Sequence, residues 1–484
     1  MFSFTNTSSL HIFTMRVILI SSILFYTCAG TYYEGEGEEY SYPFDFEGES
    51  TCGSNIVSYC NDSIPVSVSV SPDDQRIHVN SNHIGGCITL TDVWKGLDKS
   101  EHLTPIDPVT KNTSSIYTGT WYLTEDLYIE DGVTLNLFGS SRGGDCDELL
   151  MMSNSSAFVN LRGNGGSLNL LDTKVTSWDE SIRGPDRKIS DGRSYISCVS
   201  ANVTDENLCH TVSNETIGEC SMNISCSEIS YLGYKEKQSW GISYLVNGLC
   251  DTGELQEVGV YGNIIDTDIH DNYGCYSLGH TGNWSYNAVH NNTYGFFLNN
   301  GYDVRIEDNK VYDNDQTAVT LLESSSGYVL GNDLRDNGIG LNSKYSQYDQ
   351  IRRNYFSGSV SYDVFMSSGL GNKLVKNRVQ IFDDNGISFE GKTNIEIFKT
   401  KIKNKFNKEN FKNNLKNKFE GKGIRFENTQ DLEFSKNIFR NGIGYISADY
   451  SENTLFKEND QFLYEEKDSC ADKNSDVDNI NYYC

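Results

Sequence analysis

The 484 residues carry 39 Lys and Arg against 67 Asp and Glu, a net charge of −28, with 13 Cys, 43 Gly and only 6 Pro. So negative a balance repels nucleic acid and anionic membranes, and a polyanionic partner would need a locally basic groove or bridging cations. The length exceeds one small globular core but suits a solenoid, which grows by adding repeats.

In chain order, Met15-Arg16 opens an apolar run from Val17 to Tyr26 that closes on Cys28-Ala29-Gly30. A basic flank, a short apolar core and a small-residue exit predict a signal peptide over 1–30, hence a secreted protein of the extracellular wall or matrix. No later stretch approaches a bilayer span, so membrane insertion is not expected. Residues 31–50 are acidic and Gly-rich without an apolar period, and read as a solvated tail. In 51–115 the pair Cys52/Cys60 and the alternation at Val66-Ser-Val-Ser-Val70 predict a small disulfide-stapled β region capping the main body.

The main body, 116–460, is set by repetition. Asp271-Asn272, Asn291-Asn292, Asp313-Asn314 and Asp336-Asn337 recur at steps of 20, 22 and 23 residues, each followed by a short apolar run such as Ala318 to Leu322. That is the length of one coil of a parallel β-helix, three short strands and three turns. An Asn at a fixed turn tolerates left-handed backbone, and its amide can bond the Asn above and below. The pattern continues through Asn354, Asn377, Asn385 and Asn437. Upstream, Trp121 to Ile129 and Val133 to Leu137 alternate as half-buried strands do. The fold class is therefore all-β, a right-handed parallel β-helix; the leucine frame of a horseshoe solenoid is absent. The Lys/Asn-rich block 399–418 reads as a solvated insertion between coils, with a basic groove lining as its alternative. In the tail 461–484, Cys470 and Cys484 are expected to pair.

Without Cys28, twelve cysteines remain, an even set that suits bridges in an oxidising compartment. Cys198, Cys209, Cys220 and Cys226 lie close together beside His210, but without CxxC spacing bridges are favoured over zinc, and no metal site is assigned. Glycan acceptors stand at Asn61, Asn112, Asn154, Asn202, Asn214, Asn223, Asn283 and Asn291.

The segments Thr173 to Asp179, Ser227 to Tyr234, Ser239-Trp240-Gly241 and Ile264 to Gly274 resemble, in order and spacing, the mannuronan C5-epimerases that act on alginate, a likeness running from about Trp121 to Asn385. The resemblance implies a groove for an acidic polysaccharide, an isomerase, no organic cofactor, room for Ca²⁺ as a structural or bridging ion, and a monomer. It also implies a Tyr-Gly-x-Asp-Pro-His-Asp rung with an Arg on the next coil. Here that rung reads Tyr294-Gly295-Phe296-Phe297-Leu298-Asn299-Asn300. Phe297 replaces the Asp and Asn299 the His, while Glu323 stands about where the Arg belongs. An amide cannot take a proton from carbon at a useful rate, and a carboxylate would repel a uronate.

The nearest substitutes are Tyr276 and His280, then His270 and His290, although a lone His on a coil is more often a solvated or hydrogen-bonded surface residue. Tyr234, Trp240 and Tyr294 could stack on sugar rings and Asn300 could bond them; aromatic stacks inside the coil are the commoner outcome. Two readings follow: a polyuronate C5-epimerase with a degenerate rung, or a non-catalytic polysaccharide-binding wall or matrix glycoprotein. A pectate-lyase-like eliminase ranks behind both, because no Ca²⁺-binding carboxylate cluster or Arg base can be placed.

Overall fold

The computed structural model describes residues 63–381, apart from 115, 204–216, 237–238 and 252–254, and beyond them a series of strands out to Leu455–Lys457. The calls on Cys52, Cys60, Cys470, Cys484, Asn61 and Asn214 lie outside the described residues, as does 399–418 except for the strand Lys401–Asn404. The chain is a right-handed parallel β-helix of three long sheets. The first sheet carries Ile77–Ser81, Leu127–Glu130, Asn160–Asn164, Tyr195–Val199, Gly241–Leu245, Gly274–Leu278, Phe296–Asn299, Thr317–Leu322, Ile339–Lys344 and Tyr362–Ser367, and runs on to Ile446–Asp449.

Alternation places one set of side chains inside. Leu161, Ile196, Ile242, Cys275, Phe296, Val319, Leu341 and Val364 stack in register up the first sheet, and all are buried. Coils stand about 4.8 Å apart, so each inward side chain rests on the one below and the apolar column is continuous. At the N-terminal end the helix Leu90–Gly96, closed by a Thr89/Asp92 capping box, turns Leu90 and Val93 into the core. The region expected at 51–115 contributes to this cap: Val66–Val70 pairs antiparallel with Ile77–Ser81, which itself pairs with Leu127–Glu130.

The corners are held by buried amides. Asn272, Asn292, Asn314 and Asn337 form one ladder: the Asn272 N–H donates to Asn292 Oδ1 at 2.8 Å, and Asn314 Nδ2 donates to Asn337 Oδ1 at 2.9 Å. The predicted edge is therefore present, with two corrections. The left-handed backbone belongs to the preceding residue, at Asp271, Asn291, Asp313 and Asp336 (φ 53–57°). Asn354 and Asn377 fall on a different corner, in a second ladder with Asn287, Asn309 and Asn332.

Cys198 and Cys220, both fully buried, bridge the first sheet to the second. Cys87 and Cys226 are also disulfide-bonded. The expectation of a wholly bridged set fails at Cys146 and Cys275, which are buried free thiols acting as small apolar fillers of the core. Burial pushes both thiols far above their ordinary range, so neither is a reactive thiolate.

Candidate functional site

The outer face of the first sheet repeats the same register. One outward column reads His78, Tyr128, Arg162, Ser197, Ser243, Tyr276, Phe297, Thr320, Asn342 and Phe365. The neighbouring column includes Leu278, Asn299, Leu322 and Lys344. At its middle, Trp240 lies 4.9–5.0 Å from the rings of Tyr273, Tyr276, Tyr294 and Phe297. Val199, Leu245 and Leu278 back this aromatic platform. Trp240, Tyr294 and Phe297 keep part of their surface in solvent. The platform can therefore offer ring faces to an apolar sugar face, which is how aromatic side chains accept pyranoses without a charged contact.

Of the residues singled out in the sequence, Tyr276, Tyr294, Phe297 and Asn299 meet here, and Asn299 Nδ2 donates to the Tyr276 hydroxyl at 3.3 Å. Tyr234 is elsewhere on this face, in a separate group with Phe158 at 5.0 Å and Tyr195 at 6.4 Å. Glu323 does not stand beside Asn299. Leu322 does, while Glu323 and Asn300 sit at the left-handed corner past the strand ends, φ 54° and 52°. The strand Thr317–Leu322 is two residues longer than Phe296–Asn299, and spacing alone could not assign that offset.

The remaining candidates lie off this face. His280 is inside the coil, its ring 4.3 Å from Tyr244 and 5.5 Å from Trp284, with Nε2 donating to the Gly262 carbonyl at 2.9 Å. His270 and His290 stack 5.3 Å apart on the outer face of the third sheet, with His290 also stacked on Tyr312. His270 Nδ1 meets Asp271 at 2.8 Å and His290 Nε2 meets Asp268 at 3.0 Å. Among the described residues no three His, Cys, Asp or Glu side chains converge as metal ligands, and no helix is long and apolar enough to cross a membrane.

Burial lowers His280 from 6.5 to about 4. Between those values the unfolded chain binds a proton that the native chain refuses, so stability contributed by the neutral ring is lost as pH falls through that window, roughly 2 kcal/mol by pH 5. Asp349 and Asp363 act oppositely: burial raises both to about 7, and their contribution is lost as pH rises from the ordinary carboxylate range towards 7. A His280→Phe variant removes only the first effect. Its denaturation midpoint, relative to the parent protein, should rise when both are moved from pH 7 to pH 5; an unchanged difference refutes the buried neutral imidazole.

Two cations flank the platform. Arg162 forms no ion pair among the described residues and its Nε is buried without a partner. Lys344 lies with its Nζ 5.3 Å from the Phe365 ring centroid, likewise outside any described ion pair. Neither was named from sequence; their signal is only visible once the coil register is known.

The sequons divide by surroundings. Asn112, Asn202 and Asn291 are exposed and Asn154 half-buried, whereas Asn223 lies within a strand and its Nδ2 donates to Asn169 Oδ1 at 3.2 Å. Asn283 continues that outer ladder, its N–H donating to Asn263 Oδ1 at 3.0 Å.

Comparison with known proteins gives a consistent architecture. The sequence profile of the family described as periplasmic copper-binding protein (NosD) matches residues 260–420. No curated protein matches the chain in sequence. Among solved structures, the periplasmic alginate epimerase AlgG is 15% identical with a TM-score of 0.54, the match covering 89% of this chain and 100% of that one. A singly substituted AlgG has the same identity and coverage at a TM-score of 0.56, and a doubly substituted one is 14% identical at 0.55, covering 88% of this chain and 100% of that one. At such identities the likeness is one of fold, an epimerase-like β-helix.

Proposed function

We propose that this is an exported protein that holds an acidic polysaccharide, of the polyuronate class, along the outer face of the first sheet. The observation that carries the reading is the aromatic platform around Trp240 flanked by Arg162 and Lys344: in a chain of net charge −28, the cations left outside described ion pairs on this face are those in line with it. The coil spacing of about 4.8 Å is close to the length of one extended pyranose unit, so a chain lying along the outward column would meet one coil per sugar. Aromatic faces would carry the rings and the two cations the carboxylates. The bridge Cys198–Cys220 supports a passage through an oxidising compartment.

The rung at Tyr294 to Asn300 supports binding over chemistry. Asn299 is occupied with the Tyr276 hydroxyl, and its neighbour across the coil is Leu322, so neither a base nor a carboxylate neutraliser stands there. Among the described residues no carboxylate set on the platform converges as Ca²⁺ ligands.

Immobilised protein should retain oligomannuronate or oligogalacturonate in low salt and release it as salt is raised, with a neutral glucan of equal length failing to compete. Trp240→Ala should weaken retention at least tenfold, about 1.4 kcal/mol, and Lys344→Ala several-fold. Equal retention of the neutral glucan, or full affinity in both variants, would remove this reading.

A further inference from the structure

The corner between the second and third sheets carries cations that the groove does not use. One left-handed position repeats there from coil to coil, and it reads Asp266, Tyr286, Asp308, Gly331, Arg353 and Lys376. The residues beside it change in the same direction. On the second-sheet side Glu307 is followed by Leu330 and Arg352, and on the third-sheet side Asp333 is followed by Tyr355 and Arg378. One edge of the solenoid thus passes from acidic to basic along its axis, within a chain of net charge −28.

Backbone geometry does not select a cation at this corner, since the left-handed region is uncommon for residues other than Gly, Asn and Asp. Local ion pairs do not select one either. On the lower coils Arg305 is paired with Glu307 at 3.5 Å, and Arg335 with Asp333 at 2.5 Å. Arg352, Arg353, Lys376 and Arg378 are exposed, and among the described residues none of the four is in an ion pair. Arg352 donates from Nε and Nη2 to Gln350 Oε1 at 3.1 and 2.6 Å, and the Arg378 guanidinium lies 5.1 Å from the Tyr355 ring centroid. Both partners are neutral, so the charges stay open. Asp308, the acid on this corner that feels the charge of Arg353, is half-buried and already accepts from the Tyr286 hydroxyl. From 341 to 381 the chain has six basic residues and two acids, and those two, Asp349 and Asp363, are buried. The exposed charge of these coils is therefore positive.

We propose that this corner is a second binding edge, separate from the groove, where the sulfate or carboxylate groups of an anionic polysaccharide strand meet Arg352, Arg353, Lys376 and Arg378. Coils about 4.8 Å apart set the cations in a line along the helix axis, close to the repeat of one extended sugar, which suits a strand running along the edge. Guanidinium forks take either oxyanion in two parallel hydrogen bonds, and the Lys376 ammonium adds a point charge. A planar anionic surface would be met by cations spread over a face, whereas these follow one corner. Lys401 holds the register position after Arg378, so the basic line continues into the next coil. With the groove on the outer face of the first sheet, one molecule can hold two strands and cross-link them. The edge stands without the groove reading; only the cross-linking rests on it.

Arg353→Asn combined with Lys376→Asn tests the edge without weakening the fold, because asparagine suits a left-handed corner. Binding of the intact protein to dextran sulfate, to polygalacturonate and to vesicles containing phosphatidylserine is measured as salt is raised. At least one of the two polymers should bind at least tenfold more weakly in the double variant, with a shallower salt dependence, and the same loss should appear in a Trp240→Ala background. The polymer that loses more identifies the oxyanion. Light scattering reads the cross-linking: the parent protein should raise the scattering of that polymer, and the double variant should not. Equal binding of both polymers by parent and double variant overturns the proposal, and so does a loss confined to the vesicles. A loss in the double variant with none in Trp240→Ala keeps the edge and removes the groove reading.

Discussion

Substituting alanine for Asn314 is expected to destabilise the coil stack by about 4 kcal/mol, while Asp313→Gly, one residue earlier, should change stability by less than about 1 kcal/mol. Asn314 is buried and fully engaged. Its Oδ1 accepts from the Asn292 N–H at 3.1 Å and from Asn292 Nδ2 at 3.0 Å, and its Nδ2 donates to the carbonyls of Val289 and Tyr312 and to Asn337 Oδ1. Alanine leaves those donors and acceptors buried without partners, each costing about 1–3 kcal/mol, and the ladder loses polarisation along its length. Asp313 is exposed and contributes a left-handed φ of 53°, a conformation glycine adopts freely at the cost of a more flexible unfolded chain. Urea denaturation followed by circular dichroism measures the difference. Because a solenoid can open coil by coil, hydrogen exchange around Val289, Tyr312 and Asn337 is the second readout. Unchanged protection in Asn314→Ala would show that apolar stacking alone holds this corner.

That contrast also marks how far the sequence could be read. The Asp-Asn pairs were legible because the two corner roles fall on adjacent residues whose types both suit a turn. The second ladder was harder to assign, since Asn287, Asn309, Asn332, Asn354 and Asn377 follow Tyr286, Asp308, Gly331, Arg353 and Lys376, which share only a left-handed backbone. The β-helix itself followed from coil length and inward apolar alternation, which survive small errors of register. Site geometry does not survive them: one residue moves a side chain from the sheet face to the corner, as Leu322 and Glu323 demonstrate. His280 looked available because it follows an outward-facing strand end, yet the turn folds it into the core against Tyr244 and Trp284. The contacts of Glu130 with His78 and Asn164 were invisible for another reason: these residues are 52 and 34 apart in sequence, and the pairing of the cap with the first coils is what joins them.

Register also decides how the silent rung could be given its chemistry. Phe297→Asp, Asn299→His and Leu322→Arg together should turn C5 deuterium incorporation into bound oligomannuronate from undetectable to measurable. The three positions are adjacent on the outer face, since Tyr276 pairs with Phe297 and Asn299 pairs with Leu322. A histidine at 299 would supply the proton acceptor and would stand within reach of the Tyr276 hydroxyl that Asn299 now engages at 3.3 Å. An arginine at 322 would meet the carboxylate directly across the coil, and an aspartate at 297 would restore the acidic member of the family's rung. Phe297 is 5.0 Å from the Trp240 ring, so its loss should cost about 2–3 kcal/mol, and circular dichroism of each variant must verify an intact fold. The register makes a sharper demand. Glu323→Arg in place of Leu322→Arg puts the cation at the corner occupied by Asn300, and that variant should exchange at least tenfold more slowly. Equal rates from the two arginines would mean that the corner reaches the groove and that the register argument is wrong. A folded, oligouronate-binding triple variant with no exchange would mean that the face around Trp240 no longer holds a uronate in a geometry that proton transfer can use.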